Sequence, residues 1–174
     1  MIEPAVILSK NREKAIRQRH PWIFSGAVQT LPDFENGSLL AVRSAQGEHL
    51  GYAYFNRKCS IIGRMVSFDD TQPEEALEKS LERAIGLRRR FFGKDITAYR
   101  LVNSEGDDLP GLVVDRYADT LVIQVTTLGM EKLKSFILAL LIKRISPRSI
   151  YEKSALPSRR EEGLADWEGP VSYT

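Results

Sequence analysis

The sequence predicts an α+β protein with two strand-rich parts joined by a helix. Short runs of β-branched residues in both parts alternate apolar and polar positions, as half-buried strands do. Two longer segments, 73–93 and about 130–144, repeat apolar residues at helical spacing. A polar stretch at 69–72 precedes the first long helix and indicates a boundary between domains.

The first part has the pattern of a small barrel. We expect a strand at 5–8, followed by a short helix that Asn11 caps and that runs to about Gln18. Ala15 and Ile16 should pack inward. Further strands are expected at 39–43, 50–55 and 61–68, and Trp22-Ile23-Phe24 should form an apolar anchor. A short helix among five or six short strands is typical of a small β-barrel.

Positive charge is concentrated near the N-terminus. The formal net charge of the chain is +2, but residues 1–68 carry nine Lys or Arg and five Asp or Glu. Five of these cations lie between Lys10 and Arg19, opposed there only by Glu13. A phosphate-contacting surface needs localised charge of this kind, although most charge runs are solvated helix faces.

The second part is organised around the turn-rich segment 104–111, which combines Asp, Gly and Pro. In the last strand before the helix, Leu121, Ile123 and Val125 fall on one face, which indicates a half-buried strand. The elements expected in this part are strands at 100–103, 111–117 and 120–126, a helix over about 130–144, and strands at 149–152 and 171–173.

Residues 105–117, EGDDLPGLVVDRY, closely resemble the central-domain signature of one RNA methyltransferase family. Its members are S-adenosylmethionine-dependent enzymes with an N-terminal PUA domain that make 5-methylcytosine in large-subunit ribosomal RNA. Residues 20–28, HPWIFSGAV, are similar to the PUA domain of the same family. Asp108 stands where the family usually has glycine. Since Asp tolerates a left-handed conformation better than most residues, we expect the turn to survive.

The resemblance implies a PUA-like β-barrel at 1–70, a connecting helix at 71–97 and a strand-strand-helix-strand-strand domain at 98–174. Residues 151–154 and 159–164 also resemble the family, in the connection that leads to its catalytic domain. That Rossmann domain, which carries the thiolate nucleophile, is expected to be absent from these 174 residues. The resemblance implies S-adenosylmethionine as cofactor of the parent enzyme and ribosomal RNA as partner, whereas this chain should bind RNA and no cofactor.

PUA domains bind RNA, so the basic residues of the first part are the candidate contacts. Tyr52, Tyr54 and Phe55 are expected to add stacking surfaces. The run 88–90 is left undecided, because cations in the last turns of a helix are also favoured by the helix dipole. The candidate RNA-binding residues are Lys10, Arg12, Lys14, Arg17, Arg19, His20, Arg57, Lys58 and Arg64.

No catalytic, cofactor or metal site can be assembled from the sequence. Two His, one Cys and scattered acids have no metal-ligand spacing, and no Gly-rich loop follows a strand and opens a helix. His49 is expected to be exposed, and Cys59 to be buried or half-buried. The longest apolar run, 136–142, is too short to span a bilayer, and a single cysteine fits a reducing compartment. We therefore expect a cytoplasmic protein without membrane or metal partners.

Two other function classes stay open at this point. One is a stand-alone RNA-binding or ribosome-associated module with no enzymatic activity. The other is a scaffold whose second part serves self-association, and a homodimer is compatible with the sequence. The sequence does not indicate which nucleotide would be modified or how the RNA docks.

Overall fold

The strands of the computed structural model form two sheets, one in each of two units, 1–77 and 78–174. The structure describes residues 4–93 and 95–171. Both sheets are accompanied by helices, which confirms the α+β class. The first unit contains β1 (Ala5–Leu8), α1 (Glu13–Arg17), β2 (Trp22–Phe24), β3 (Val28–Thr30), β4 (Leu39–Arg43), β5 (His49–Phe55) and β6 (Ile61–Ser67).

The sheet of the first unit has six strands in the order β2-β6-β5-β4-β1-β3. β1 is parallel to β4, and the other neighbours are antiparallel. The inward face forms one apolar core around buried Val6, Ile23, Phe55 and Met65. β2 and β3 are the edge strands, so β2 has only one strand neighbour and presents its other side away from the sheet.

The first helix is shorter than the sequence indicated, and Asn11 does not cap it. The N-cap is Arg12, without a side-chain hydrogen bond, and Asn11 has a left-handed φ of 68°. Asn tolerates this conformation, so it serves the turn before the helix. Only Ile16 is buried. The expectation that Ala15 packs inward was wrong, because a helix of five residues presents one narrow face to the core.

Helix α2 (Pro73–Phe91) begins at the predicted proline and runs across the boundary between the two units. Leu81, Ala84 and Ile85 are buried, as their spacing predicted. The second unit then contains β7 (Ala98–Asn103), β8 (Leu112–Tyr117), β9 (Thr120–Val125), α3 (Leu128–Ile145), β10 (Ser149–Lys153), α4 (Pro157–Glu161) and β11 (Glu168–Pro170).

The second sheet has the order β11-β10-β9-β8-β7. β10 is parallel to β9 across the α3 crossover, and the other pairs are antiparallel. β11 directly precedes the segment 171–173, where a strand was predicted, and Ser172 and Tyr173 of that segment lie outside the described residues. Helix α4, a short helix that begins at Pro157, was not predicted from the sequence.

The turn between β7 and β8 contains two residues with left-handed backbone angles, Asp108 and Gly111. Asp108 has φ 56° and ψ 32°, the left-handed conformation expected of it. Gly111 has φ 77°, and a Cβ there would lie 2.2 Å from Thr127 Oγ1. Thr127 caps α3 by accepting a hydrogen bond from the Met130 amide. Gly111 is therefore required both by its backbone angle and by the helix cap beside it.

A network of charged side chains is buried in the second unit. Lys134 Nζ lies 2.5 Å from Glu131 Oε1 and 3.1 Å from Glu152 Oε2. Arg159 of α4 donates to Glu131 Oε2 at 2.8 Å and to the Val125 carbonyl at 2.9 Å. The network links α3, α4 and β10, so it fixes α4 in place despite the helix being only five residues long.

Burial and hydrogen bonding shift the pKa values of Glu131 and Lys134 in opposite directions. Burial raises the pKa of Glu131, but hydrogen bonds from Lys134 and Arg159 outweigh it and leave that pKa below its ordinary value. Burial likewise lowers the pKa of Lys134, whereas its bonds to Glu131 and Glu152 give a net rise. Both shifts favour the charged forms, so Glu131 and Lys134 are charged at neutral pH.

The described residues lack two kinds of feature. Neither of the two long helices, α2 and α3, contains an apolar stretch that could cross a bilayer. No three His, Cys, Asp or Glu side chains within 4–93 and 95–171 lie together in a group that could hold a metal ion.

Candidate nucleic-acid interface

An open groove in the first unit lies between α1 and edge strand β2. It has a volume of about 380 Å³, and we call it the α1–β2 groove. Its floor is apolar and comes from the core residues Leu8, Ile16 and Ile23. The complete lining is Leu8, Arg12, Ala15, Ile16, His20, Trp22, Ile23, Phe24, Gly26 and Ala27.

Two exposed aromatic side chains line this groove. Trp22 is 37% exposed and Phe24 is 48% exposed, while Ile23 between them is buried. A short strand alternates its side chains between faces, so β2 sends only Ile23 into the core. The prediction that all three residues form an apolar anchor was therefore wrong for Trp22 and Phe24. The period of two in this strand was the signal that could have found them.

His20 extends the aromatic row. Its ring meets Trp22 edge to face at 5.8 Å, and Trp22 meets Phe24 in the same way at 6.3 Å. His20 Nδ1 accepts a hydrogen bond from the Trp22 amide at 3.2 Å. The neutral imidazole then carries its hydrogen on Nε2, which can donate to a ligand. Exposed rings with a nearby donor are suited to stacking and hydrogen-bonding unpaired bases.

Four of the predicted cations are available for a phosphate. Lys10, Arg12, Lys14 and Lys58 are exposed, and their side chains make no ion pair with the residues that the structure describes. Arg12 lines the groove itself. The turn that carries Lys58 lies beside the end of β2, because the Ser25 amide donates to the Ser60 carbonyl at 3.0 Å.

The register of the β2–β6 pair places Arg64 next to the groove. It lies directly opposite Trp22 in the antiparallel pair of β2 and β6. Residues opposite each other in such a pair project from the same face of the sheet. Arg64 is half-buried and makes a further contact within the protein, so it is placed beside Trp22.

Two further predicted cations, Arg17 and Arg19, contact other residues of the first unit. Arg17 makes two hydrogen bonds to the carboxylate of Glu48, one of them at 2.9 Å, and these bonds raise the pKa of Arg17. The Arg19 guanidinium lies 4.6 Å above the Phe68 ring. Arg19 follows the helix in a left-handed conformation, with φ 61°, so it shares no helical face with Arg12.

Arg57 is a structural residue. Its guanidinium donates to the carbonyls of Phe34 and Pro32 at 2.6 and 2.8 Å and lies 3.7 Å above the Phe34 ring. These contacts hold the loop before β4 against the end of β5. Nothing in the sequence distinguishes Arg57 from neighbouring Lys58, because its partners lie more than twenty residues earlier in the chain.

Three predicted surface aromatics are buried. Tyr52 and Tyr54 are 8% and 1% exposed, and Phe55 is fully buried, because β5 is an interior strand of the sheet. They cannot act as stacking surfaces. His49 was also expected to be exposed, yet its side chain is mostly buried, with Nε2 3.7 Å from Asp70 Oδ1 and the ring against Tyr52.

The chain is similar in sequence to known proteins. Residues 6–68 match the family model of a PUA-like domain, which confirms that part of the fold. The chain is 34% identical over 173 residues to the ribosomal RNA large subunit methyltransferase I of Salmonella arizonae, covering 97% of this chain and 43% of the relative. The enzyme of the same name from Aliivibrio fischeri is 34% identical over 164 residues, covering 92% and 41%.

Solved structures show the same fold. A Streptococcus mutans protein described as a SAM-dependent methyltransferase superposes with a TM-score of 0.76 at 20% identity, covering 98% of this chain and 44% of its own. A methyltransferase solved with SAH superposes with a TM-score of 0.73 at 22% identity, covering 88% and 40%. The chain is homologous to the ribosomal RNA methyltransferases over its own length, and it spans less than half the length of these relatives.

Proposed function

We propose that this chain is the RNA-recognition part of an S-adenosylmethionine-dependent methyltransferase that acts on large-subunit ribosomal RNA. The α1–β2 groove is the observation that carries the proposal, because exposed aromatic rings and Arg12 line it on an RNA-binding type of fold. Lys10, Lys14 and Lys58 of the same unit are exposed as well. The identity to ribosomal RNA methyltransferases supports ribosomal RNA as the ligand. A protein with this substrate works in the cytoplasm.

The geometry suggests how RNA would bind. An unpaired base stacks on Trp22 or Phe24 and takes a hydrogen bond from His20 Nε2. Arg12 and Lys14 contact the phosphates that flank this base, and Lys10 and Lys58 extend the path of the strand. Stacking of this kind contributes about 1–3 kcal/mol per base, and each phosphate contact adds salt-dependent affinity.

The methyl transfer itself is assigned to a part of the enzyme outside these residues. The string at 105–117 resembles enzymes that methylate C5 of cytosine, and we propose this position for the modification. The 174 residues cover only 41–43% of two curated relatives, which leaves room in such enzymes for a separate catalytic domain. Titration calorimetry with S-adenosylmethionine tests this partition, for which we expect no binding heat. A micromolar affinity would overturn it.

The RNA proposal is tested by fluorescence anisotropy with a labelled ribosomal RNA hairpin that carries an unpaired loop. Trp22→Ala should weaken binding by about 5- to 150-fold, since one stacking contact is lost. Arg12→Ala with Lys14→Ala should weaken binding and make the negative slope of log affinity against log salt shallower by about 1.4, or 0.7 per contact. Lys143→Ala with Arg148→Ala removes two exposed cations of the second unit and serves as the charge-matched control. Equal effects of both double variants would contradict a localised site.

A further inference from the structure

The second unit has an open groove of its own beside the last turns of α2. Its volume is about 420 Å³, and it is lined by Arg83, Gly86, Leu87 and Arg90 of α2 and by the turn 106–108. We call it the α2 groove. All of these residues belong to the second unit, so the groove is distinct from the α1–β2 groove.

The α2 groove continues into an exposed apolar surface. Leu87 is 44% exposed, and Phe91, one helical turn later on the same face, is 73% exposed. Among the exposed large apolar side chains of residues 4–93 and 95–171, Phe91 is the most exposed. Covering this phenyl ring and Leu87 with a ligand would remove apolar surface from water, which favours binding.

Two arginines and two aspartates line the groove, and Arg88 beside it adds a third arginine, so this surface has one more positive than negative charge. Its two carboxylates are each neutralised by an arginine: Asp107 by Arg88 at 2.6 Å and Asp108 by Arg83 at 2.7 Å. Arg90 makes no ion pair with any residue in 4–93 or 95–171. One arginine without a counter-ion, beside an apolar surface, is complementary to a phosphate and the base next to it.

We propose that the α2 groove binds a second, single-stranded segment of the same RNA. In this arrangement Arg90 contacts a phosphate, and Leu87 and Phe91 pack against a base. The proposal rests on the RNA-binding function proposed above and names a second contact for it. The positive charge favours RNA over an apolar protein segment, which would leave Arg90 without a counter-ion.

Gly86 provides a way to block the groove without harming the fold. A Cβ at Gly86 would meet no atom within 4 Å, so a larger side chain fits there and projects into the groove. Gly86→Met should occlude the groove while improving helix propensity. Gly93→Met is the matched control, because a Cβ at Gly93 also meets no atom within 4 Å and Gly93 does not line the groove.

The experiment compares two labelled hairpins by anisotropy, one with a single-stranded extension and one that ends bluntly. We expect Gly86→Met, Arg90→Glu and Phe91→Ala each to weaken binding of the extended hairpin about 5- to 10-fold. Arg90→Glu should also make the negative slope of log affinity against log salt shallower by about 0.7. Gly93→Met should match the wild type on both RNAs. Binding of the blunt hairpin should be unchanged in all four variants.

The outcomes separate this proposal from the one on which it rests. If Trp22→Ala weakens binding but Gly86→Met and Arg90→Glu bind the extended hairpin like the wild type, the α2 groove is not an RNA site and the proposed function stands. If the wild type binds neither hairpin at low salt, both proposals fail. A dimer in sedimentation that Phe91→Ala dissociates would assign this surface to self-association and overturn the inference.

Discussion

Arg88 and Asp107 form a bidentate, mostly buried ion pair in the second unit. Arg88 donates to the two carboxylate oxygens at 2.6 and 2.8 Å, and its Nε donates to the Arg100 carbonyl at 3.1 Å. Asp107 Oδ2 also accepts a hydrogen bond from the Asn103 backbone amide at 2.6 Å. These bonds connect α2 to β7 and to the turn that follows it, so one arginine holds the signature turn in position.

Replacing Arg88 should destabilise the second unit. Arg88→Met keeps most of the side-chain volume but leaves Asp107, which is only 8% exposed, as an uncompensated buried charge. We expect the free energy of unfolding to fall by about 3–5 kcal/mol. Each unit contains one tryptophan, so urea unfolding followed by Trp167 fluorescence in a Trp22→Phe background reports on the second unit alone.

Arg89→Met is the control for this experiment. Arg89 is the next residue of the same helix and is exposed, so its removal should change the free energy of unfolding by less than about 0.5 kcal/mol. Equal effects of the two substitutions would show that the Asp107 ion pair contributes little to stability.

Gly111→Ala should be strongly destabilising. The left-handed conformation alone costs about 1–2 kcal/mol with a side chain, and the new Cβ would displace Thr127 from its capping position, which costs about 0.5–2 kcal/mol more. Gly86→Ala is the opposite case, in an open helical position, and should stabilise by about 0.5–1 kcal/mol. Thermal unfolding of both variants checks the pair, and a stable Gly111→Ala protein would contradict the geometry of this turn.

Substitutions of Asp108 test whether its left-handed backbone or its side-chain bond to Arg83 has the larger effect on the free energy of unfolding. Asp108→Gly loses the partly exposed bond to Arg83, worth about 0–1 kcal/mol, but relieves a left-handed conformation that costs about 1–2 kcal/mol. Its free energy of unfolding should therefore equal or exceed that of the wild type. Asp108→Ala loses the bond and keeps the strain, so it should be less stable. The reverse order in urea unfolding would mean that the Arg83 bond dominates.

The buried network predicts a specific response to acid. The folded-state pKa of Glu131 lies below its ordinary value of 4.5, so its stabilising contribution is present above that pH and is lost as pH falls through the folded pKa. Lys134 has the opposite sign, and its contribution is lost only as pH rises above its ordinary pKa of 10.5. Neutral pH lies in the range where both contribute.

Glu131→Gln should therefore destabilise the second unit at pH 7 and progressively less below pH 4.5. The glutamine keeps the shape of the side chain but removes the charge that pairs with Arg159 and leaves Lys134 with Glu152 as its carboxylate partner. Urea unfolding of wild type and variant at several pH values between 7 and 3 measures this difference. A difference that stays constant over that range would exclude Glu131 as the titrating group.

The sequence predicted most elements because their signals are local. The burial pattern of β9, the start of α2 at Pro73 and the left-handed Asp108 each depend on a few neighbouring residues. Arg57, Arg88 and Arg159 could not be interpreted in this way. Each is an arginine whose role is set by partners that lie far along the chain and that only the fold brings together.

The candidate groove was predicted in part. Charge clustering identified Lys10, Arg12 and Lys14, which are exposed in the structure. The exposure of Trp22 and Phe24 was missed, because apolar composition was taken as a sign of burial. In an edge strand of three residues, position on the strand decides burial more than residue type does.

The most direct test of the account is anisotropy of this chain with the labelled ribosomal RNA hairpin across a salt series. With phosphate contacts from Lys10, Arg12, Lys14 and Lys58, the account predicts that log affinity falls linearly with log salt, with a slope near −3 at about 0.7 per contact. Trp22→Ala should shift this line downward without changing its slope, since it removes stacking and no charge. Absence of binding at low salt, or an affinity that does not depend on salt, would contradict the RNA-recognition function.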